Sequence, residues 1–218
     1  MIQAVVSDFG GVLTTPLLQA FDRVQEDIDV PGEAYAAAMA HSLQHDGVHP
    51  LYALERGEIT EAEFLARVER GLEPVLGHRV ELHGLGARLM QALHPNRDLF
   101  DFYTQLRRER GIRFALCTNN VREWESQWRS KLPIDDLFEV VVDSAFVGTR
   151  KPEPEIYALT LERLGLPGRA CAFVDDLDHN VTAARDAGMH GIVYRDTAQV
   201  IAELQALLRQ APARQPWP

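Results

Sequence analysis

Four short stretches of this chain carry side chains that could do chemistry together. Asp8 closes the apolar run Ile2 to Val6 in VVSDFGGVL, and Gly10 and Gly11 follow at once. A buried strand that stops at a carboxylate and opens into a glycine turn delivers one acid to the rim of a sheet. The bare backbone of the turn can then approach a ligand closely. Thr118, Asn119 and Asn120 end the run ALCTNN, Lys151 stands in GTRKPEPEIY, and Asp175 and Asp176 end FVDD. Acids at neighbouring strand ends can hold Mg²⁺, which takes oxygen ligands and usually keeps waters and a substrate phosphate. Thr118 offers a hydroxyl, Asn119 an amide and Lys151 a positive charge. A nucleophile, a metal and such clamps are what a transferring phosphoryl group requires.

These clusters can act together if one sheet carries them. From His94 the chain alternates helix and strand: Asp98–Arg110 reads as a helix closed by Gly111 and Ile112–Cys117 as a strand. Val121–Leu132 reads as a helix, Glu139–Val142 as a short strand, and Glu153–Leu164 as a helix ended by Gly165. Ala170–Val174 and Gly191–Tyr194 read as strands, with helices at His179–Ala187 and Thr197–Gln210. Strands alternating with helices of this length imply a Rossmann-like parallel sheet of about five strands with helices on both faces. Ligands bind beyond the carboxyl ends of such strands, where Asp8, Thr118 and Asp175-Asp176 all fall.

Residues 15 to 94 contain no convincing strand and read as a small helical cap inserted after the first strand. Helices are expected at Phe21–Ile28 and Glu33–Leu43. Thr60, three residues before Glu63, marks a capping box ahead of the apolar face Phe64, Leu65, Val68 and Leu72. The expected division is therefore a core of residues 1–14 and 95–210, a cap of 15–94, and a disordered proline-rich tail, 211–218. Six histidines fall in the cap region, but only His41 and His45 share an i,i+4 spacing, so zinc is not expected. Trp124 and Trp128 are expected to pack, and Arg107, Arg108 and Arg110 to form a solvated helix end.

Formal charge is −10, from 22 basic and 32 acidic side chains, which argues against nucleic acid and anionic membranes as partners. No apolar run approaches the roughly 18 residues of a membrane span. No secretory signal is visible, so a cytoplasmic location is expected. Only two of the basic residues are lysines, Lys131 and Lys151, so a lysine among prolines stands out. Cys117 and Cys171 sit in apolar runs without metal or redox spacing and read as buried thiols in a reducing compartment. Oligomeric state is left open.

VVSDFGGVL, ALCTNN, GTRKPEPEIY and FVDDLDHNVTAARDAGM, in this order, resemble the four motifs of the haloacid dehalogenase superfamily. LERGEITEAEFLARVE, with the insert directly after the first motif, further resembles the soluble epoxide hydrolase amino-terminal domain and its bacterial relatives. The resemblance implies a cap that closes over the site and a Mg²⁺-dependent phosphatase acting on a small phosphorylated substrate. Asp8 would be the nucleophile that forms an aspartyl-phosphate. Thr118, Asn119, Lys151 and Gly11 would hold the phosphate, with Thr118 and Lys151 also in catalysis. Asp8, the Gly10 carbonyl and Asp176 would ligate the metal, with Asp175 and Asn180 behind them. With the family's sheet order, Cys117 and Cys171 would lie two strand spacings apart, about 9–10 Å, too far for a disulfide.

Two departures qualify the resemblance. Asn180 stands where many relatives carry a second acid. Gly10 stands where the family's phosphatases carry the aspartate that protonates the leaving group and then activates water, a loss worth ~10²–10⁴-fold in rate. Phosphonatase relatives also lack that aspartate but use a cap lysine, and residues 15–94 contain none. Haloalkanoic dehalogenases work without metal, against which the Asp175-Asp176 pair argues. The alternatives left open are a catalytically weak or inactive binding module on this fold and a 2-haloacid dehalogenase.

Overall fold

The computed structural model describes residues 1–28 and 30–209; residue 29, the 211–218 tail and the end of the last expected helix lie outside them. Five strands form one parallel sheet: β1 (Ala4–Ser7), β2 (Arg113–Thr118), β3 (Val140–Asp143), β4 (Cys171–Asp175) and β5 (His190–Val193), in spatial order β3-β2-β1-β4-β5. Twelve helices surround it among the described residues. Between β1 and β2 lie α1 (Leu17–Ile28), α2 (Gly32–Asp46), α3 (Pro50–Glu55), α4 (Glu61–Leu76), α5 (Leu85–Ala92) and α6 (Arg97–Arg110). Then come α7 (Glu125–Arg129), α8 (Ile134–Leu137), α9 (Ser144–Val147), α10 (Pro154–Leu164), α11 (Asp178–Asp186) and α12 (Thr197–Arg209). No described helix is long and apolar enough to cross a membrane.

The alternation of side chains along each strand splits the core in two. Val5, Phe114, Leu116, Ala172 and Val174 face α6 and α12, meeting Leu99, Tyr103, Val200 and Leu204. Ala4, Val6, Ala115, Cys117, Cys171 and Phe173 face α10 and α11, meeting Ile156, Tyr157, Leu164 and Val181. Burial on both faces is why these strands read as continuous apolar runs.

The chain leaves the sheet at Thr14 and returns at Pro95, where the two residues form an isolated antiparallel bridge. Thr15 N–H donates to the His94 carbonyl and Asn96 N–H to that of Leu13, at 2.9 and 2.8 Å. Within this helical block Thr60 and Glu63 form the reciprocal capping box that starts α4. Val68 and Leu72 pack there with Tyr35, Ala38 and Leu54 in a third cluster. Helices α1 and α5, by contrast, add Ala20, Val24, Leu85 and Leu89 to the main core.

Several local expectations need correction. The helix expected over Val121–Leu132 is a 3₁₀ turn, Arg122–Trp124, followed by the five-residue α7. Trp128 is buried against Phe9, ring centroids 5.1 Å apart, and holds the segment to the core more firmly than helix periodicity does. Arg107, Arg108 and Arg110 lie exposed in the last turn of α6 as expected, and Arg107 does more: its Nη1 donates to the carbonyls of Asp136 and Leu137, at 2.7 and 2.6 Å, and so caps α8. The free, buried cysteines flank β1, but the register places Cys171 beside Ala4 while Leu116 stands beside Ser7. Four residues of offset along the strands add about 13 Å, so the separation is about 16 Å rather than 9–10 Å.

Candidate active site

Strand β1 lies between β2 and β4, so its carboxyl end is the natural meeting point of the three motifs. Ser7 is registered with Leu116 on one side and Val174 on the other. Asp8, one residue on, is fixed through its backbone: its N–H donates to the Val174 carbonyl at 2.9 Å and its carbonyl accepts from Ser7 Oγ at 2.8 Å. Phe9 N–H donates to its Oδ1 at 2.6 Å.

Lys151 reaches this point from the loop between α9 and α10. Its Nζ lies 2.8 Å from Asp8 Oδ1 and 2.6 Å from Asp175 Oδ2, and it is only 1% exposed. Burial opposes the ammonium charge, but the carboxylates of Asp175 and Asp8 outweigh it and hold its pKa above the ordinary lysine value. For Asp8 the balance runs the other way. Burial raises its pKa, the charges of Asp175 and Asp176 add to the rise, and Lys151 opposes it. Asp176 is raised too, by burial and then by Asp175.

Ligand atoms of Asp8, Asp175 and Asp176 lie within 4.8 Å of one another. Three carboxylates face one ammonium, so the site has room for a further cation in its charge balance. The donors are all oxygen, as Mg²⁺ prefers. Gly11, at φ +79°, brings its backbone so close to Asp176 that a Cβ there would stand 2.2 Å from Asp176 Oδ2. Asn180 Nδ2 donates to both Asp175 oxygens, at 3.0 and 3.2 Å, while its Oδ1 is buried without a partner. An orphaned acceptor on a side chain bonded to Asp175 is one that a water beside the acidic trio would satisfy. The residues present therefore fit Mg²⁺. No histidine takes part in the cluster, and His41 and His45 stack on α2 with ring centroids 6.4 Å apart.

Asp175 also accepts from Leu177 N–H at 2.9 Å, which leaves its oxygens engaged by Lys151, Asn180 and the backbone. Thr118, at the end of β2, is buried with its hydroxyl 3.5 Å from the Asn119 carbonyl. The Asn119 side chain does something the sequence did not announce. Its Oδ1 accepts from Lys151 N–H at 2.8 Å and its Nδ2 donates to the Lys151 carbonyl at 3.0 Å. Both amide atoms thus clamp the Lys151 backbone, a positioning contact that Asn119 makes in addition to whatever its second N–H can offer a ligand.

Gly10 differs from Gly11. Its φ is outside the left-handed region, and a Cβ added to it would meet nothing within 4 Å. Neither backbone strain nor crowding requires a glycine there.

The buried triad makes a stability prediction. Lys151→Met leaves Asp8 and Asp175 without their shared cation and costs about 3–5 kcal/mol, read by urea unfolding in EDTA. The sign of its pH dependence follows from linkage. Removing the ammonium raises Asp8 further, so the folded variant holds a proton that the unfolded chain has lost. Asp8 is pushed up to about 8 with the ammonium in place and higher without it, so both folded forms hold that proton at neutrality and the variant's stability deficit grows as pH rises above about 8.

A buried carboxylate at the carboxyl edge of a parallel sheet, with a lysine against it and an acidic trio around it, defines the candidate active site of a Rossmann-like hydrolase. The family model for haloacid dehalogenase-like hydrolases matches residues 2–188, and the chain belongs to that family. A phosphatase from Mycobacterium tuberculosis is 31% identical, covering 94% of this chain and 95% of its own. Bifunctional epoxide hydrolase 2 of Rattus norvegicus is 25% identical over 94% of this chain but 38% of its own length. The chain spans about two fifths or less of the first four curated relatives it matches. Among solved structures, a HAD-like hydrolase from Porphyromonas gingivalis superposes with a TM-score of 0.72 at 23% identity, covering 97% of this chain and all of its own. An enzyme of the same superfamily from Bacteroides thetaiotaomicron, in complex with magnesium and inorganic phosphate, gives 0.63 at 23% identity, covering 89% and 95%.

Proposed function

We propose that this chain is a Mg²⁺-dependent phosphatase for a small phosphorylated metabolite with a good leaving group, working through an aspartyl-phosphate on Asp8. The observation that carries the reading is the Lys151 ammonium, 2.8 Å from Asp8 within an acidic trio, beside a Gly10 that has space but no side chain. The phosphatase relative and the magnesium–phosphate complex of the Bacteroides enzyme support it. Residues 15–94 act as the cap. The two free, buried thiols suit a cytoplasmic location.

An Asp8 carboxylate oxygen attacks phosphorus, and the bond to the leaving oxygen breaks with its electron pair. Lys151, with the Thr118 hydroxyl and the backbone at Gly11 and Asn119, holds the phosphoryl oxygens. Mg²⁺, held by Asp8, the Gly10 carbonyl and Asp176, would offset the charge that builds on them. Water then attacks phosphorus, releasing phosphate and restoring Asp8. At neither step does residue 10 move a proton. Acyl, anomeric and aryl phosphates need little protonation on departure, so the missing acid costs them least.

The test is a comparison of kcat/KM for acetyl phosphate, hexose-1-phosphates, aryl phosphates and alkyl phosphates with Mg²⁺, against EDTA controls. The first three groups are expected to exceed alkyl esters by roughly 10²–10⁴-fold. Faster turnover of the alkyl esters would overturn the leaving-group reading. Gly10 also favours a second reading, a fold kept for binding alone, and inactivity on the whole panel would support that one.

A further inference from the structure

Lys151 sits in a loop whose other charged residues all turn toward the cap. Helix α3 ends at Glu55, and Arg56 and Gly57 follow. Glu55 Oε2 accepts from Arg150 Nε at 2.5 Å, and Arg56 Nη1 donates to Glu153 Oε1 at 2.8 Å. The cap thus presents a negative then a positive charge to a loop that presents a positive then a negative one. A slip of the cap along this seam sets like charges against each other.

The first pair is built in rather than draped on the surface, and the second is part-buried beside it. The Glu55 and Arg150 side chains are 13% and 12% exposed. The Arg150 guanidinium lies 4.1 Å from the centroid of the Tyr52 ring, and His49 stacks on the same ring at 4.4 Å. Glu153 divides its two oxygens. Oε1 takes the cap's Arg56, whereas Oε2 takes Thr149 Oγ1 and Arg150 N–H, each at 3.0 Å, and so closes the loop's own turn. Gly57, at φ +66°, backs onto the Ala145 carbonyl so closely that a Cβ would stand 2.2 Å from that oxygen.

We propose that Glu55 and Arg56 are positioning residues: a two-charge latch through which the cap holds the 149–153 loop, and with it the Lys151 ammonium, in its working place. Among the described residues Lys151 makes no hydrogen bond or ion pair to the cap; its Nζ goes to Asp8 and Asp175. Closing the cap therefore sets the loop, and the loop sets the lysine. Opening the cap, for substrate entry or phosphate release, breaks both pairs and loosens the turn that Glu153 closes. The catalytic part of this inference rests on the proposed phosphatase reading; its structural part does not.

The test uses the full chain carrying E55Q/R56Q, with E55D/R56K as the conservative control. Two readouts are needed: hydrogen exchange of the 149–153 amides, and kcat and KM for acetyl phosphate with Mg²⁺. The Gln pair is expected to speed exchange at Arg150 at least about tenfold while the β1 and β4 amides keep their protection. It should lower kcat on the order of 10–100-fold with KM changed much less, and the conservative pair should recover most of the loss. Unchanged exchange at 149–153, or a fall in thermal stability with kcat intact, overturns the latch. An inactive wild type overturns the phosphatase reading instead, and the exchange data still decide whether the cap holds the loop.

Discussion

On the proposed mechanism, Asp8→Asn is expected to remove Mg²⁺-dependent phosphate release from every substrate, with turnover falling roughly 10⁴- to 10⁶-fold, the scale for loss of a covalent nucleophile. The amide is the same size as the carboxylate, but it cannot attack phosphorus. Folding survives the change, because Lys151 keeps Asp175 at 2.6 Å and the residue-8 backbone keeps its bond to Val174. Steady-state assays with acetyl phosphate, beside circular dichroism of the variant, check both halves. A protein kept for binding alone would lose nothing measurable with Asp8, so a wild type whose slow phosphate release survives this exchange owes that release to something other than this site.

The second large effect is a gain. Gly10→Asp raises kcat/KM for alkyl phosphates by about 10²–10⁴-fold, because it supplies the group that protonates the leaving oxygen and later activates water. The structure accommodates the change, since a Cβ at residue 10 meets nothing within 4 Å and the φ there is one any residue can adopt. The gain for acetyl phosphate is much smaller, because a good leaving group needs little help. Gly10→Asn is the control: equal in size, unable to shuttle a proton, and expected to leave rates within a few-fold of wild type. An equal gain from both variants would show that shape, not proton transfer, limits the site. The neighbouring glycine behaves oppositely. Any side chain at Gly11 is strained by φ +79° and collides with Asp176.

The elements of the candidate site could be read from the chain because each is local. An apolar run that ends in Asp8, Thr118 or Asp175-Asp176 states its strand, its end and its chemistry within about ten residues. Parallel strands also put all such ends on one edge. Element boundaries were less legible where packing overrides periodicity, as at Trp128, which leaves α7 with five residues. Asn119 shows the same limit at the site. An amide beside a strand end is equally suited to phosphate or backbone, and the arrival of the 149–153 loop decides for the Lys151 backbone.

From its residues alone, then, this protein declares a Rossmann-like core, with a carboxylate at Asp8, a lysine at Lys151, an acid pair at Asp175-Asp176 and a glycine at position 10 gathered at its strand ends. Tertiary structure alone decided that Lys151 bridges Asp8 and Asp175, that Gly10 is free of steric demand, and that Glu55 and Arg56 meet Arg150 and Glu153. The reason is distance along the chain. Strand patterns and turn residues act through neighbours, whereas an ion pair between residues 95 positions apart depends on how the cap returns to the sheet, which no local pattern records.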